Sequence, residues 1–120
     1  NVSTYQSFQL VPLIILDNAV KYGAPGTNIS VEFSQASAWL DIAVTSFGDL
    51  VPEPEREAIF RRHVRGSNAA GPHPHGTGLG LFLASEIVRV HGYSLSYHCD
   101  PARKSNTFTL RIPQQEWADV

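Results

Sequence analysis

The run Gly76-Thr77-Gly78-Leu79-Gly80-Leu81 stands at the mouth of a helical segment, and that placement restricts the fold more than any other stretch of the chain. Over residues 77–91, Leu79, Phe82, Leu83, Ile87 and Val90 recur at helical spacing, and Gly92 is placed as a C-terminal stop. Glycine lets a backbone approach a ligand closely, and the free N–H groups of a helix's first turn attract anions such as phosphate. The preceding residues 66–76 hold three glycines, two prolines and no apolar periodicity, which predicts a mobile loop. The fold must therefore carry a helix whose N-terminus opens onto a surface loop. No Gly-Lys-Ser/Thr follows, so this is not a Walker loop, and no strand precedes, so it is not a dinucleotide fingerprint. Taken alone, the cluster also suits a plain flexible loop feeding a helix.

The remaining segments supply what that helix packs on. A first helix is predicted over 6–22, with Phe8, Val11, Ile15, Ala19 and Tyr22 on its apolar side, stopped by Gly23 and the Pro25-Gly26 pair. Alternating, β-rich stretches at 28–34 and 38–45, joined around Gln35-Ala36-Ser37, predict an antiparallel hairpin. Pro52 and Pro54 precede a short helix predicted over 55–62, acidic at its start and arginine-rich at its end, as the helix dipole favours. Two more strands, 93–98 and 106–112, flank a turn at Asp100-Pro101-Ala102-Arg103, and the last seven residues trail off. The order predicts an α/β fold: a mixed, largely antiparallel sheet with helices on one face.

Composition bounds the function. With 120 residues and 42% hydrophobic side chains, residues 1–120 suit one domain with its own core, without repeat or linker. A net charge of -2 argues against a nucleic-acid arm, and the apolar content argues against disorder. The longest apolar stretch, 10–16, is broken by Pro12 and is far short of the roughly 20 residues that span a bilayer. Cys99 is the single cysteine, which precludes an intrachain disulfide or a cysteine cage for metal and fits a reducing, cytoplasmic setting. The chain opens on Asn1 without an export signal and reads as a fragment of a longer protein.

A second chemical segment lies on the first helix. In Leu16-Asp17-Asn18-Ala19-Val20-Lys21-Tyr22, the side chains of Asn18, Lys21 and Tyr22 fall within about one turn, so an amide, a cation and an aromatic ring can address one nucleotide. Magnesium takes oxygen ligands, an ammonium meets phosphate, and a ring covers a base. An amphipathic helix with solvated polar residues would look the same if this segment stood alone.

Together the segments resemble the catalytic domain of histidine kinases, within the GHKL ATPase superfamily. Asp17-Asn18-Ala19-Val20-Lys21-Tyr22 resembles the N box, residues 59–67 from Ile59-Phe60 to Gly66-Ser67 the F box and the start of an ATP lid, and Gly76 to Leu81 the G2 box. Order, spacing and element type agree over residues 8–113. The resemblance implies a two-layer α/β sandwich of the GHKL (Bergerat) type with ATP and Mg²⁺ as cofactors. It implies that Asn18 coordinates Mg²⁺, Lys21 reaches a phosphate, Tyr22 packs near adenine, and Phe60 belongs to the nucleotide site. Arg65 would approach the γ-phosphate, and the backbone at Gly76, Thr77, Gly78, Leu79, Gly80 and Leu81 would hold the triphosphate. The γ-phosphoryl would pass to a histidine on a separate dimerisation domain, and from there to a response regulator in two-component signalling. None of His63, His73, His75, His91 and His98 lies in an acceptor context, so the isolated domain is not expected to phosphorylate itself. The His73-Pro74-His75 pair suits a solvated loop better than a metal site.

Two positions depart from the family pattern. Where the G1 box carries Asp-x-Gly-x-Gly, this chain has Ser46-Phe47-Gly48-Asp49-Leu50, with Ser46 at the acid's place and Gly48 retained. That acid accepts a hydrogen bond from the adenine amine, and its loss is expected to weaken ATP roughly tenfold to a hundredfold. Asp49 would substitute only if the loop were rebuilt. Ile14 fills the turn before Asn18 where a second polar residue is common, so looser Mg²⁺ binding is expected. Two function classes follow: a kinase domain tolerating a degenerate G1 box, or a binding module that recognises another nucleotide or a protein. A serine hydroxyl both donates and accepts, so Ser46 could face the O6 of guanine.

Overall fold

The four alternating segments pair into one sheet in the computed structural model, which describes residues 2–61 and 80–113, with side chains from Leu10 onward. In chain order the elements are α1 (Val2–Tyr22), β1 (Ser30–Gln35), β2 (Trp39–Phe47), two 3₁₀ turns (Glu53–Glu55 and Ala58–Phe60), α2 (Gly80–His91), β3 (Ser94–Asp100) and β4 (Ser105–Pro113). The strand order is β1-β2-β4-β3. Every pairing is antiparallel, so the sheet is not mixed among the described residues.

Register explains why the helices cover one face. Leu40, Ile42 and Val44 stand opposite Ile112, Leu110 and Phe108, and Leu95 and Tyr97 stand opposite Leu110 and Phe108 on the other side of β4. Because side chains alternate along a strand, these residues share one face. Val11, Ile15 and Ala19 of α1 and Ala84, Ile87 and Val88 of α2 bury against them as one core. The opposite face is polar. There Thr45 and Thr107 share a 2.8 Å hydrogen bond, and Arg111 grips Asp41 through Nε and Nη2 at 2.7 and 2.8 Å, with its guanidinium 4.9 Å from the Trp39 ring.

The hairpin expected from residues 28–45 is present, closed by a 2.9 Å bond from the Ala36 N–H to the Trp39 carbonyl. The expected short helix at 55–62 is instead two single 3₁₀ turns. A helix so short gains little once nucleated, because the first turn fixes several residues for one hydrogen bond. The chain gains more by burying Ile59 against the core. The first helix begins earlier than residue 6 and runs through Pro12, whose missing donor is tolerated because the flanking Val11 and Ile15 are fully packed. Among the described residues no helix is long and apolar enough to cross a membrane.

Candidate functional site

The C-terminal end of α1 is pinned against the end of β2, and Tyr22, Ser46 and Gly48, three of the residues expected from the sequence, meet at this junction. Gly23 donates its N–H to Ala19 at 2.9 Å, and Ala24 donates to the Phe47 carbonyl at 2.6 Å. A Cβ on Gly23 would lie 2.7 Å from the Ala19 carbonyl oxygen and 3.7 Å from Ser46 Cβ; one on Gly48 would lie 3.1 Å from the Tyr22 oxygen. Only glycine admits so close an approach. The structure thus brings Tyr22 and Gly23, at the end of the helix that carries Asn18 and Lys21, against Ser46 of β2 and Gly48 just beyond it, residues distant in sequence. Asn18 and Tyr22 are half-buried, and Lys21 is exposed, paired with Asp17 at 2.9 Å.

Ser46 is 8% exposed and stands directly opposite Asn106, also 8% exposed. The floor of this corner is therefore polar and uncharged. Asp49 does not restore the acid. Its carboxylate is 74% exposed, 3.5 Å from Lys104 Nζ, and its backbone oxygen accepts from Asn106 Nδ2 at 3.1 Å. Tyr97 donates its hydroxyl to Asn106 Oδ1 and accepts from the Val51 N–H at 3.2 Å. Burial pushes the Tyr97 phenol above its ordinary value, so it remains a neutral donor at physiological pH.

The start of α2 lies beside α1: a Cβ on Gly80 would sit 3.6 Å from Ile14 Cγ2. Ile14 and Asn18 are four residues apart and share a helix face, so the Asn18 side of α1 borders the N-terminal end of α2. Leu81 packs against the core, and Phe60 meets Phe108 edge-on with centroids 6.1 Å apart while its carbonyl accepts from Ser85 Oγ. Phe60 thus braces the site through packing. Arg65, Gly76, Thr77, Gly78 and Leu79, the expected lid and the His73/His75 pair lie outside the described residues. Of the described histidines, His91 bonds the Ile87 carbonyl at 2.8 Å and His98 faces Ser96 Oγ at 3.4 Å. No group of three or more His, Cys, Asp or Glu suited to a metal occurs among the described residues. The Asn18 amide supplies an oxygen donor, and Mg²⁺ commonly takes one or two protein oxygens with waters and substrate phosphates, so the residues fit that ion.

Sequence reasoning missed Gly23 as more than a helix stop, and missed Tyr97 and Asn106 entirely. The glycine that ends α1 immediately after Tyr22 was the available signal for the first. The other two act through contacts 46 and 57 residues away along the chain, for which no local pattern exists.

Residues 5–116 match the family model of the histidine kinase-, DNA gyrase B- and HSP90-like ATPases (HATPase_c). The chain is 35% identical over 102 residues to the sensor histidine kinase HprS of Escherichia coli K12, covering 84% of this chain and 21% of that protein. It is 32% identical over 100 residues to the sensor-like histidine kinase SenX3 of Mycolicibacterium smegmatis, covering 83% and 26%. It thus spans about a fifth to a quarter of the curated relatives' length. Among solved structures, the mycobacterial sensor histidine kinase MprB superposes with a TM-score of 0.75 at 30% identity, over 87% of this chain and 68% of that one. The catalytic domain of histidine kinase ThkA superposes with a TM-score of 0.75 at 20% identity, over 91% and 68%, a likeness of fold. With helices on one face of an antiparallel sheet and the end of α1 pinned to the end of β2, the chain belongs to the histidine kinase-, DNA gyrase B- and HSP90-like ATPase family, as a catalytic domain of the sensor histidine kinase kind.

Proposed function

We propose that this domain binds Mg-ATP in the corner between α1, the end of β2 and the start of α2, and supplies the γ-phosphoryl group to a histidine on a separate dimerisation domain. The observation that supports this reading is the junction at Gly23, where the end of the helix that carries Asn18, Lys21 and Tyr22 packs against Ser46 and Gly48. Asn18 would hold the magnesium ion, which when bound neutralises phosphate charge. Lys21, whose exposed pairing with Asp17 is weak, exchanges that carboxylate for a phosphate at little cost. Tyr22 and the wall around Gly48 would flank the base. Arg65 and the amides of residues 76–81 would close on the phosphates, cutting the freedom of the transferring group and stabilising its charge. A response regulator would receive the phosphoryl group from the acceptor histidine. The test is to mix the domain with γ-labelled ATP and a separately prepared dimerisation domain from the same protein. Label is expected on the acceptor histidine and not on the catalytic domain alone; an unlabelled acceptor while ATP is bound would overturn the transfer.

The buried, uncharged pair of Ser46 and Asn106 favours a second reading on one point. A nucleotide read without a carboxylate is discriminated less sharply between adenine and guanine, so a regulatory module for a guanine nucleotide is the alternative. Parallel titrations with ATP and GTP separate the two.

A further inference from the structure

The segment that follows Gly48 has no regular structure until the first 3₁₀ turn at Glu53–Glu55, yet it is held at four backbone positions. Gly48 N–H donates to Lys104 O at 2.9 Å, Asp49 O accepts from Asn106 Nδ2 at 3.1 Å, Val51 N–H donates to the Tyr97 hydroxyl at 3.2 Å, and Val51 O accepts from Arg56 Nε at 3.1 Å. Tyr97 and Asn106 are also bonded to one another. They stand on adjacent strands: Tyr97 is opposite Phe108 and Asn106 is opposite Cys99 on one side and Ser46 on the other. One hydroxyl and one amide, linked together, therefore grip both sides of the stretch that carries Gly48 into the rest of the chain.

We propose that Tyr97 and Asn106 are positioning residues for base recognition, holding residues 48–51 on the sheet and so fixing where Ser46 and Gly48 stand against a nucleotide base. The proposal rests on the nucleotide-binding reading and names what aligns the base side of that site. Three features support it. Asn106 is buried and spends an oxygen lone pair and an N–H on this link, so both ends of its amide are fixed by the 48–51 stretch and Tyr97. Its cross-strand partner is Ser46, so a shift in the amide is passed to the residue that replaces the G1 acid. Arg56 lies 6.0 Å from the Tyr97 ring centroid while bonding Val51, which closes the grip from the solvent side.

Tyr97→Phe is the informative variant, because its ring keeps the Phe108 contact, at 5.2 Å between centroids, while the hydroxyl is removed. Affinities for ATP and for inorganic tripolyphosphate are measured alongside hydrogen exchange at the Val51 amide, with Asn106→Ala as a second variant. ATP affinity is expected to fall about tenfold with tripolyphosphate affinity unchanged, and Val51 exchange to quicken about tenfold. A variant that loses ATP and tripolyphosphate affinity equally has merely loosened, which would overturn the positioning role. So would unchanged ATP affinity with faster Val51 exchange. A wild-type protein that binds ATP no more tightly than tripolyphosphate would instead sink the nucleotide reading, and the proposal with it.

Discussion

At the scale of single residues, Ser46 separates this chain from its family's pattern, and its burial sharpens what a substitution would do. Ser46→Asp returns an acceptor for the adenine amine, and ATP is expected to tighten by about 1.5–3 kcal/mol while guanine nucleotides weaken. Because the site is 8% exposed, the same carboxylate is buried without a partner in the free domain. The variant should therefore melt below wild type without nucleotide and recover with ATP, a crossing that thermal unfolding reads directly. Unchanged melting in both states would mean that Ser46 does not border the base. On the opposite face of the sheet, the side-chain hydrogen bond from Arg111 holds the Asp41 carboxyl below its ordinary value of 3.8, although partial burial opposes it. A depressed carboxylate stabilises the fold above the unfolded value, and that stability is lost as pH falls through the folded one. Asp41→Asn should cost less than about 1 kcal/mol near neutral pH, since the pair is only partly buried and is screened by solvent, and should flatten the stability curve below pH 3.8. Urea titrations across that range check it.

At the scale of elements, the junction of α1 with β2 is the part of the site that packing alone fixes. A methyl group on Gly23 would press on the Ala19 carbonyl oxygen, a backbone atom that cannot rotate away. Gly23→Ala is expected to cost about 1–3 kcal/mol and to weaken ATP as well, because the end of α1 carries Tyr22. Chemical denaturation gives the first effect and calorimetry the second; a neutral substitution would show that the helix end is free to move. Both helices and the hairpin were legible in the sequence because each repeats apolar residues at its own period. Charge order hid the 3₁₀ turns at Glu53–Glu55 and Ala58–Phe60, since an acidic-first, basic-last segment suits the helix dipole even where the segment is too short to hold a helix. Asn18, Lys21, Tyr22 and Gly48 could be proposed from the sequence because they sit in local motifs. Tyr97 and Asn106 could not, because they become a unit only when β3 and β4 pair.

At the scale of the whole molecule, the sheet is a platform with one covered face, and the proposed site lies where the covering helices meet a strand end. The outer strand β1 is the exception: Val31 and Phe33 point to the helix side yet remain 43% and 69% exposed. Stability therefore rests on α1, α2, β2, β3 and β4, and the site is built from those same elements. A ligand held there stabilises the fold by about 2.7 kcal/mol at a hundredfold excess over its Kd. The central claim is that α1 supplies the magnesium ligand for a nucleotide in this corner, and Asn18 is its single most exposed point to test. Calorimetric titration of wild type and Asn18→Ala with ATP, each with and without Mg²⁺, reads it directly. Magnesium is expected to tighten ATP on the wild-type domain and to have no effect on the variant. Equal affinities and an intact magnesium dependence in Asn18→Ala would contradict the assignment of that helix to the metal and the nucleotide.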